Sequence, residues 1–307
     1  MGTVGQQARS GNDIGVMLGA TVDLLGARIG LSSDPLSGTD QRMWIRRDVG
    51  VWQLGGLWIG GWFQWGSEPE SRAEPGDILC AVCLSGVTEE ILMLAFLGGT
   101  GPEGKGLALR LAMAGESVVI GSRDAGRAQE AADELLELAP GKAISGAVNG
   151  DAAEQSDVVF LTMPYNGMSP TISGVDDALS GKIVVTVIAP MRFERGVGAI
   201  AEEVAAGSAA EEAQAAAPNA KVVAAFQNVS AEELLKPGVT LDEDVVICGD
   251  DADAKGRVTD LTRLIPNLRP VDGGALYNAK YVEQITPLLV NINRIYRTHS
   301  GVRITGV

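Results

Sequence analysis

The residues whose types and spacing point most directly to chemistry are glycines. Gly99-x-Gly101-x-x-Gly104 follows the apolar run 93–97, and a helical pattern (Leu107, Ala108, Leu111, Ala112) begins at once. Strand, tight turn and helix in that order let a backbone turn sharply, approach a pyrophosphate and pack helix against strand. Phosphate oxygens then meet free amides at a helix N-terminus, where the macrodipole favours negative charge. The second informative position is the end of the next strand. A ribose hydroxyl pair calls for Asp or Glu there, whereas a 2′-phosphate calls for hydroxyl and guanidinium groups. Here Ser122 and Arg123 occupy it and Arg127 follows one helical turn on, while Asp124 falls where a helix cap is expected. This pattern predicts NADP rather than NAD.

Acid–base and metal chemistry is sparse. The one histidine, His299, lies near the C-terminus and reads as a surface residue after the last helix. Tyr165, Tyr277, Tyr281 and Lys280 lack the Tyr-x-x-x-Lys spacing of a carbonyl reductase. No catalytic side chain and no metal ligand set is predicted. Cys80-x-x-Cys83 has no second pair, and Cys248 closes an apolar run as a packing residue. Such a site suits direct hydride transfer between two bound cofactors, with the protein supplying proximity and orientation.

The elements that must position these residues alternate. Strands are predicted at 117–121, 142–148, 157–162, 183–188, 221–226 and 245–248, and the segment 269–273 leads into the last helix. Helices are predicted at 125–138, from Gly249-Asp250-Asp251 to Leu264, and at 275–296, the last kinked by Pro287. The Ala/Glu-rich stretch 197–217 is expected to form an exposed helix. The expected fold is therefore α/β: a Rossmann-type doubly wound parallel sheet with a small C-terminal α/β part. The expected division is an atypical extension over 1–90, an NADP-binding domain over 91–225 and a C-terminal part over 226–307.

The first ninety residues differ from the rest. They contain no lysine, and all five tryptophans fall between Trp44 and Trp65. The uncharged stretch 49–66 is too broken by glycine for a membrane span, and no signal-peptide pattern precedes it. Residues 1–92 are expected to be disordered or outside the fold, as sequence upstream of a start at Met93 or Val87. That start leaves about 215 residues, enough for one α/β domain and a small cap. The net charge of −15 argues against nucleic-acid or membrane-surface binding, and the three cysteines fit a reducing cytoplasm.

Further motifs carry a resemblance. Gly98-Gly99-Thr100-Gly101-x-x-Gly104-x-Gly106-Leu107-Ala108-x-Arg110 and Gly121-Ser122-Arg123 are followed by Val246-x-Cys248-Gly249-Asp250-Asp251 and Asp272-x-Gly274-x-Leu276-x-Asn278-Ala279. The run Glu283-x-x-Thr286-Pro287-Leu288-Leu289-x-Asn291-Ile292-Asn293 completes the set. Over 93–307 the chain resembles the NADPH-dependent reductases of the deazaflavin coenzyme F420. The resemblance implies a cytoplasmic homodimer that exchanges hydride reversibly between NADPH and F420.

By position it implies that Thr100, Gly101 and Pro102 hold the phosphates within a cofactor-binding turn that includes Gly99 and Gly104, and that Ser122, Arg123 and Arg127 hold the 2′-phosphate. Met163, Gly167, Ala189 and Ala231 line the nicotinamide end. Phe226-Gln227-Asn228-Val229 stands where some members carry a histidine. F420 bears a phosphate and a polyglutamate tail, for which Arg192 with Arg195, or Lys280, Arg294, Arg297 and Arg303, are candidate partners. Two alternatives stand beside this reading: an NADPH-dependent reductase of a flavin, ferric chelate or imine, and a non-catalytic NADP-sensing module.

Overall fold

The computed structural model describes residues 93–307 continuously and, upstream, the backbone of 21–24, 27–33 and 41–46. The upstream strands β1 (Thr21–Leu24), β2 (Ala27–Ser33) and β3 (Gln41–Arg46) pair antiparallel in that order. The stretch 49–66 and Cys80-x-x-Cys83 lie outside the described residues. Contacts divide the chain into two units, 1–84 and 85–307.

The second unit alternates strands and helices as the apolar runs require. It begins with β4 (Met93–Leu97), α1 (Pro102–Ala114), β5 (Ser117–Ser122), α2 (Ala125–Leu138), β6 (Ile144–Val148) and α3 (Asn149–Glu154). Then come β7 (Val158–Leu161), a 3₁₀ turn at Tyr165–Gly167, α4 (Met168–Ser173), α5 (Asp176–Leu179) and β8 (Ile183–Thr186). A hairpin of β9 (Met191–Glu194) and β10 (Gly198–Ala201) precedes α6 (Ala209–Ala216), β11 (Lys221–Ala224) and α7 (Ala231–Leu234). The chain closes with β12 (Glu243–Gly249), α8 (Ala252–Leu264), β13 (Leu268–Gly274), a 3₁₀ turn at Leu276–Asn278 and α9 (Ala279–Tyr296).

Eight strands form one sheet in the order β13-β12-β11-β8-β7-β4-β5-β6. The six from β6 to β11 run parallel, whereas β12 pairs antiparallel with β11. The chain winds outward from β4 through β5 to β6, then crosses back to β7 beside β4. That reversal opens a crevice at the carboxyl ends of the central strands, where open α/β sheets bind ligands. Both faces of the sheet are covered, so β4 alternates between two cores. Leu94 and Phe96 enter one, where Phe96 stacks on Phe160 at 4.7 Å, and Ala95 and Leu97 enter the other.

Asp124 and Asp251 cap α2 and α8, accepting from the amides of Arg127 at 2.9 Å and Ala254 at 2.8 Å. The reading of 197–217 as one exposed helix needs correction. Gly198 sits at φ +115° and Gly207 at φ +103°, which turn the chain into a hairpin and then a loop. Only 209–216 are helical, and Ala209, Ala210 and Ala213 are fully buried. The last helix starts at Ala279 rather than 275, and Pro287 sits inside it without ending it. Strands β12 and β13 extend the same sheet, so residues after 225 are continuous with the part before them.

Candidate functional site

The glycine turn is built from its contacts outward. Gly98 adopts φ +66°, and a Cβ there would stand 2.7 Å from the Met163 Cβ. Its amide donates to Asn149 Oδ1 at 3.3 Å, and the Gly99 amide donates to the carbonyls of Phe96 and Gly121 at 3.0 Å each. A Cβ on Gly99 would strike the Phe96 carbonyl at 2.5 Å, and one on Gly104 would strike Gly99 Cα at 2.5 Å. Gly101 differs: nothing lies within 4 Å of a Cβ there. Gly98, Gly99 and Gly104 thus serve internal packing, and Gly101 faces open space where a ligand can approach.

Gly101 is also the N-cap of α1, with no side-chain cap, and Pro102 follows at the first helical position. The first-turn amides therefore lack side-chain acceptors and carry the positive end of the macrodipole. This is a fit for a pyrophosphate in both shape and charge.

At the end of β5, the Asp124 amide donates to Ser122 Oγ at 3.3 Å, and the Asp124 carboxylate is committed to capping α2. No acid is thereby left for a ribose hydroxyl pair at that point. Arg123 and Arg127 are exposed, and neither guanidinium has a carboxylate partner among the described residues. Two uncommitted cations in an acidic protein fit a 2′-phosphate.

The expected nicotinamide residues divide. Met163, nearly buried after β7, touches Gly98 and lies within 3.5 Å of a Cβ on Gly167. Ala189, half-buried, follows β8 on the same edge of the sheet. Ala231 opens α7 and abuts α1 through Gly106, one turn beyond the glycine turn.

Two residues did more than their motif suggested. Buried Arg110 donates to the carbonyls of Leu234, Glu233, Lys236 and Val239 at 2.7–2.9 Å, clamping the segment after α7 to α1. Asn149 ties β6 to the turn from 51 positions away. Neither role has a local signal in the sequence, because each partner lies far along the chain.

The late motif is occupied with its own architecture. Glu283 accepts from the amides of Ala209 and Ala210 at 2.9 and 3.1 Å and so caps α6; burial nevertheless pushes its carboxyl up to about 7. Thr286 Oγ1 donates to the Gln227 carbonyl at 2.9 Å. Asn291 brackets Ala199, accepting from its amide at 2.9 Å and donating to its carbonyl at 2.7 Å. Buried Asp244 accepts from Arg269, Arg303 and the Ile304 amide, and the Arg269 guanidinium above all holds it well below the usual carboxylate range.

These bonds bear on the tail-binding candidates, since Arg303 is spent on Asp242 and Asp244. Arg192 is paired with Glu194 at 3.0 Å, and Lys280 lies 3.5 Å from the Tyr277 ring centre. The other tyrosine candidate is also engaged. Tyr165 donates to Glu212 at 2.6 Å, and that bond first, then burial, pushes its hydroxyl up to about 12. His299 is a surface residue beside Ser230 and Glu232, and Cys248 is buried with its thiol raised to about 11. No cluster of three metal-ligating side chains occurs among the described residues.

Comparison with known proteins agrees with this geometry. Residues 93–190 match the family model described as NADP oxidoreductase, coenzyme F420-dependent. The chain is 40% identical over 222 residues to the F420-dependent NADP reductase of Methanothermobacter marburgensis, covering 70% of this chain and 99% of that protein. Against the enzyme of the same name from Methanocaldococcus jannaschii it is 38% identical over 227 residues, with 70% and 99% coverage. A crystal structure assigned as an F420-dependent NADP reductase from Arthrobacter sp. FB24 superposes with a TM-score of 0.61 at 26% identity, covering 70% of this chain and 99% of that one. The chain belongs to the F420-dependent NADP reductase family.

Proposed function

We propose that this protein is an oxidoreductase that moves hydride between NADPH and coenzyme F420, taking up one proton as F420 is reduced. The observation that carries the reading is the near-complete coverage of two F420-dependent NADP reductases at about 40% identity. The Arg123–Arg127 pair, without a carboxylate partner among the described residues, beside an Asp124 spent on capping α2, supports the NADP half. When bound, the nicotinamide supplies the hydride chemistry. The chain's own residues bind, orient and exclude water.

In this reading Thr100, Gly101 and Pro102 hold the phosphates on the cofactor-binding turn that Gly99 and Gly104 shape, and Ser122, Arg123 and Arg127 hold the 2′-phosphate. Met163, Gly167, Ala189 and Ala231 flank the nicotinamide. Residues 91–225 serve the dinucleotide, and 226–307 complete the F420 side. Two molecules pair through the outer face of α9, where Leu288, Ile295 and Tyr296 are exposed. The enzyme works in the cytoplasm; no helix among the described residues is long and apolar enough to cross a membrane.

The test is spectrophotometric. Protein, NADPH and oxidised F420 should together lose deazaflavin absorbance, with NADH and riboflavin as poor substitutes. Turnover of riboflavin without turnover of F420 would overturn the proposal.

A further inference from the structure

Three residues one and two turns apart, Glu103, Gly106 and Arg110, share one face of α1. Arg110 and Gly106 meet α7 and the segment after it. Glu103 points the same way from the first turn of the helix, and its Oε1 is buried with no hydrogen-bond partner. Glu243 opens β12 at 5% exposure, beside the Ser230 amide that begins α7, with its Oε2 likewise buried and unpartnered. The chain closes over it at Gly301, where a Cβ would stand 2.4 Å from the Glu243 Cγ.

The surrounding charges offer this pair no cation. Glu233, on α7, and Asp242 add negative potential at Glu243, and only the Ser230 amide favours its charged form. Arg110 is spent on four carbonyls, Arg303 on Asp242 and Asp244, and Lys105 on Glu134. His299 faces Ser230 and Glu232. Burial first, then Glu243, pushes Glu103 up to about 8; burial first, then Glu233, pushes Glu243 up to about 7.

Glu103 occupies the first turn of the same helix whose amides face the phosphates. An ionised carboxylate there satisfies the helix dipole itself and repels a dinucleotide; a neutral one leaves the dipole to the ligand. We propose that Glu103 and Glu243 form a proton-holding pair at the junction of α1 and α7, so that the protonated pair grips NADP(H) and loss of the proton from Glu103 loosens it. This rests on the dinucleotide reading of the turn. Glu103 acts through the turn, as a positioning residue.

The experiment is direct binding without F420. The Kd for NADP⁺ is measured by fluorescence titration between pH 7 and 9, where the 2′-phosphate is already fully ionised. One linked proton predicts a rise of roughly tenfold in the intact protein. Glu103→Gln should flatten the profile to within about twofold. Glu243→Gln should move the inflection to lower pH, because it removes the neighbouring charge. Calorimetry of the unmodified protein at pH 8, in buffers of differing ionisation enthalpy, should show net proton uptake on binding.

A flat profile, the same slope in Glu103→Gln, or no proton uptake would overturn the switch while leaving NADP binding intact. Absence of NADP⁺ binding at pH 7 by folded protein would instead overturn the dinucleotide reading, and the switch with it.

Discussion

The glycine turn and the late α9 motif are opposite kinds of structure. Around the turn, polar groups are left unanswered: the α1 amides have no cap, Arg123 and Arg127 have no partner among the described residues, and a Cβ on Gly101 would meet open space. Around α9, the polar groups of the late motif are answered from within the chain, whereas Glu243 at the start of β12 keeps one buried oxygen unpartnered. Glu283 caps α6, Asn291 brackets Ala199, and Asp244 gathers two guanidiniums. A region with open valences at its surface is shaped for something outside the chain, and one whose motif is spent on its own backbone holds its neighbours in place. The late motif therefore holds the architecture together, and the turn leaves room for a ligand.

Substitutions should separate the two kinds of region. The largest effect is expected at Asp244. Asp244→Ala leaves Arg269 without its anion and Arg303 with Asp242 alone, and should cost about 3–5 kcal/mol of stability, read by chemical denaturation. The protein that still folds should bind NADPH almost normally. A loss of binding larger than the loss of stability would break the comparison.

Next comes the unanswered side. Arg123→Ala should weaken NADPH binding by about 1.5–3 kcal/mol, some ten- to a hundredfold, and leave NADH binding and the melting temperature nearly unchanged. Arg127→Ala should act in the same direction. A lowered melting temperature in either variant would place those guanidiniums with the self-satisfied region instead.

Asn291→Ala strands the Ala199 amide and carbonyl and should cost about 1–3 kcal/mol in urea unfolding, with little change in the Kd for NADPH. A smaller effect belongs to pH. Glu103 and Glu243 have folded values above their unfolded ones, so their contribution is fully present below about 4.5 and is lost as pH rises toward 7–8. Asp244 has the opposite sign, and its contribution disappears as pH falls through the acid range. Thermal stability without ligand should therefore peak in mildly acid buffer, and Glu103→Gln should lessen the decline above pH 5. The smallest change is expected for the surface pair Lys105–Glu134, where Glu134→Gln should shift stability by at most about 0.5 kcal/mol.

Much of this was legible in the sequence, and the limits are physical. Parallel strands buried on both faces read as unbroken apolar runs, so β4, β5, β7, β8 and β11 stand out. Caps act within three residues, which made Asp124 and Asp251 readable. The β9–β10 hairpin was missed because alanine and glutamate from 197 to 217 suit a helix by propensity, whereas Gly198 and Asn291, far apart in the chain, decide the outcome. Arg110 looked like one letter of a motif, and its four carbonyl partners lie more than 120 positions away. The raised Glu103 carboxyl was equally invisible, since it depends first on burial by packed elements and then on Glu243, 140 positions away.

The reversal of direction between β11 and β12 has a practical side. It sends Gly249 and Asp251 to the edge opposite the glycine turn, where Asp251 meets Lys221 at the start of β11. The exposed turn at Asn219 lies on that same far edge, joined to Gly181 through the backbone. A tether attached at Asn219 would therefore immobilise the molecule with its dinucleotide crevice facing solution. The fold comes with a built-in handle, on the side its chemistry does not use.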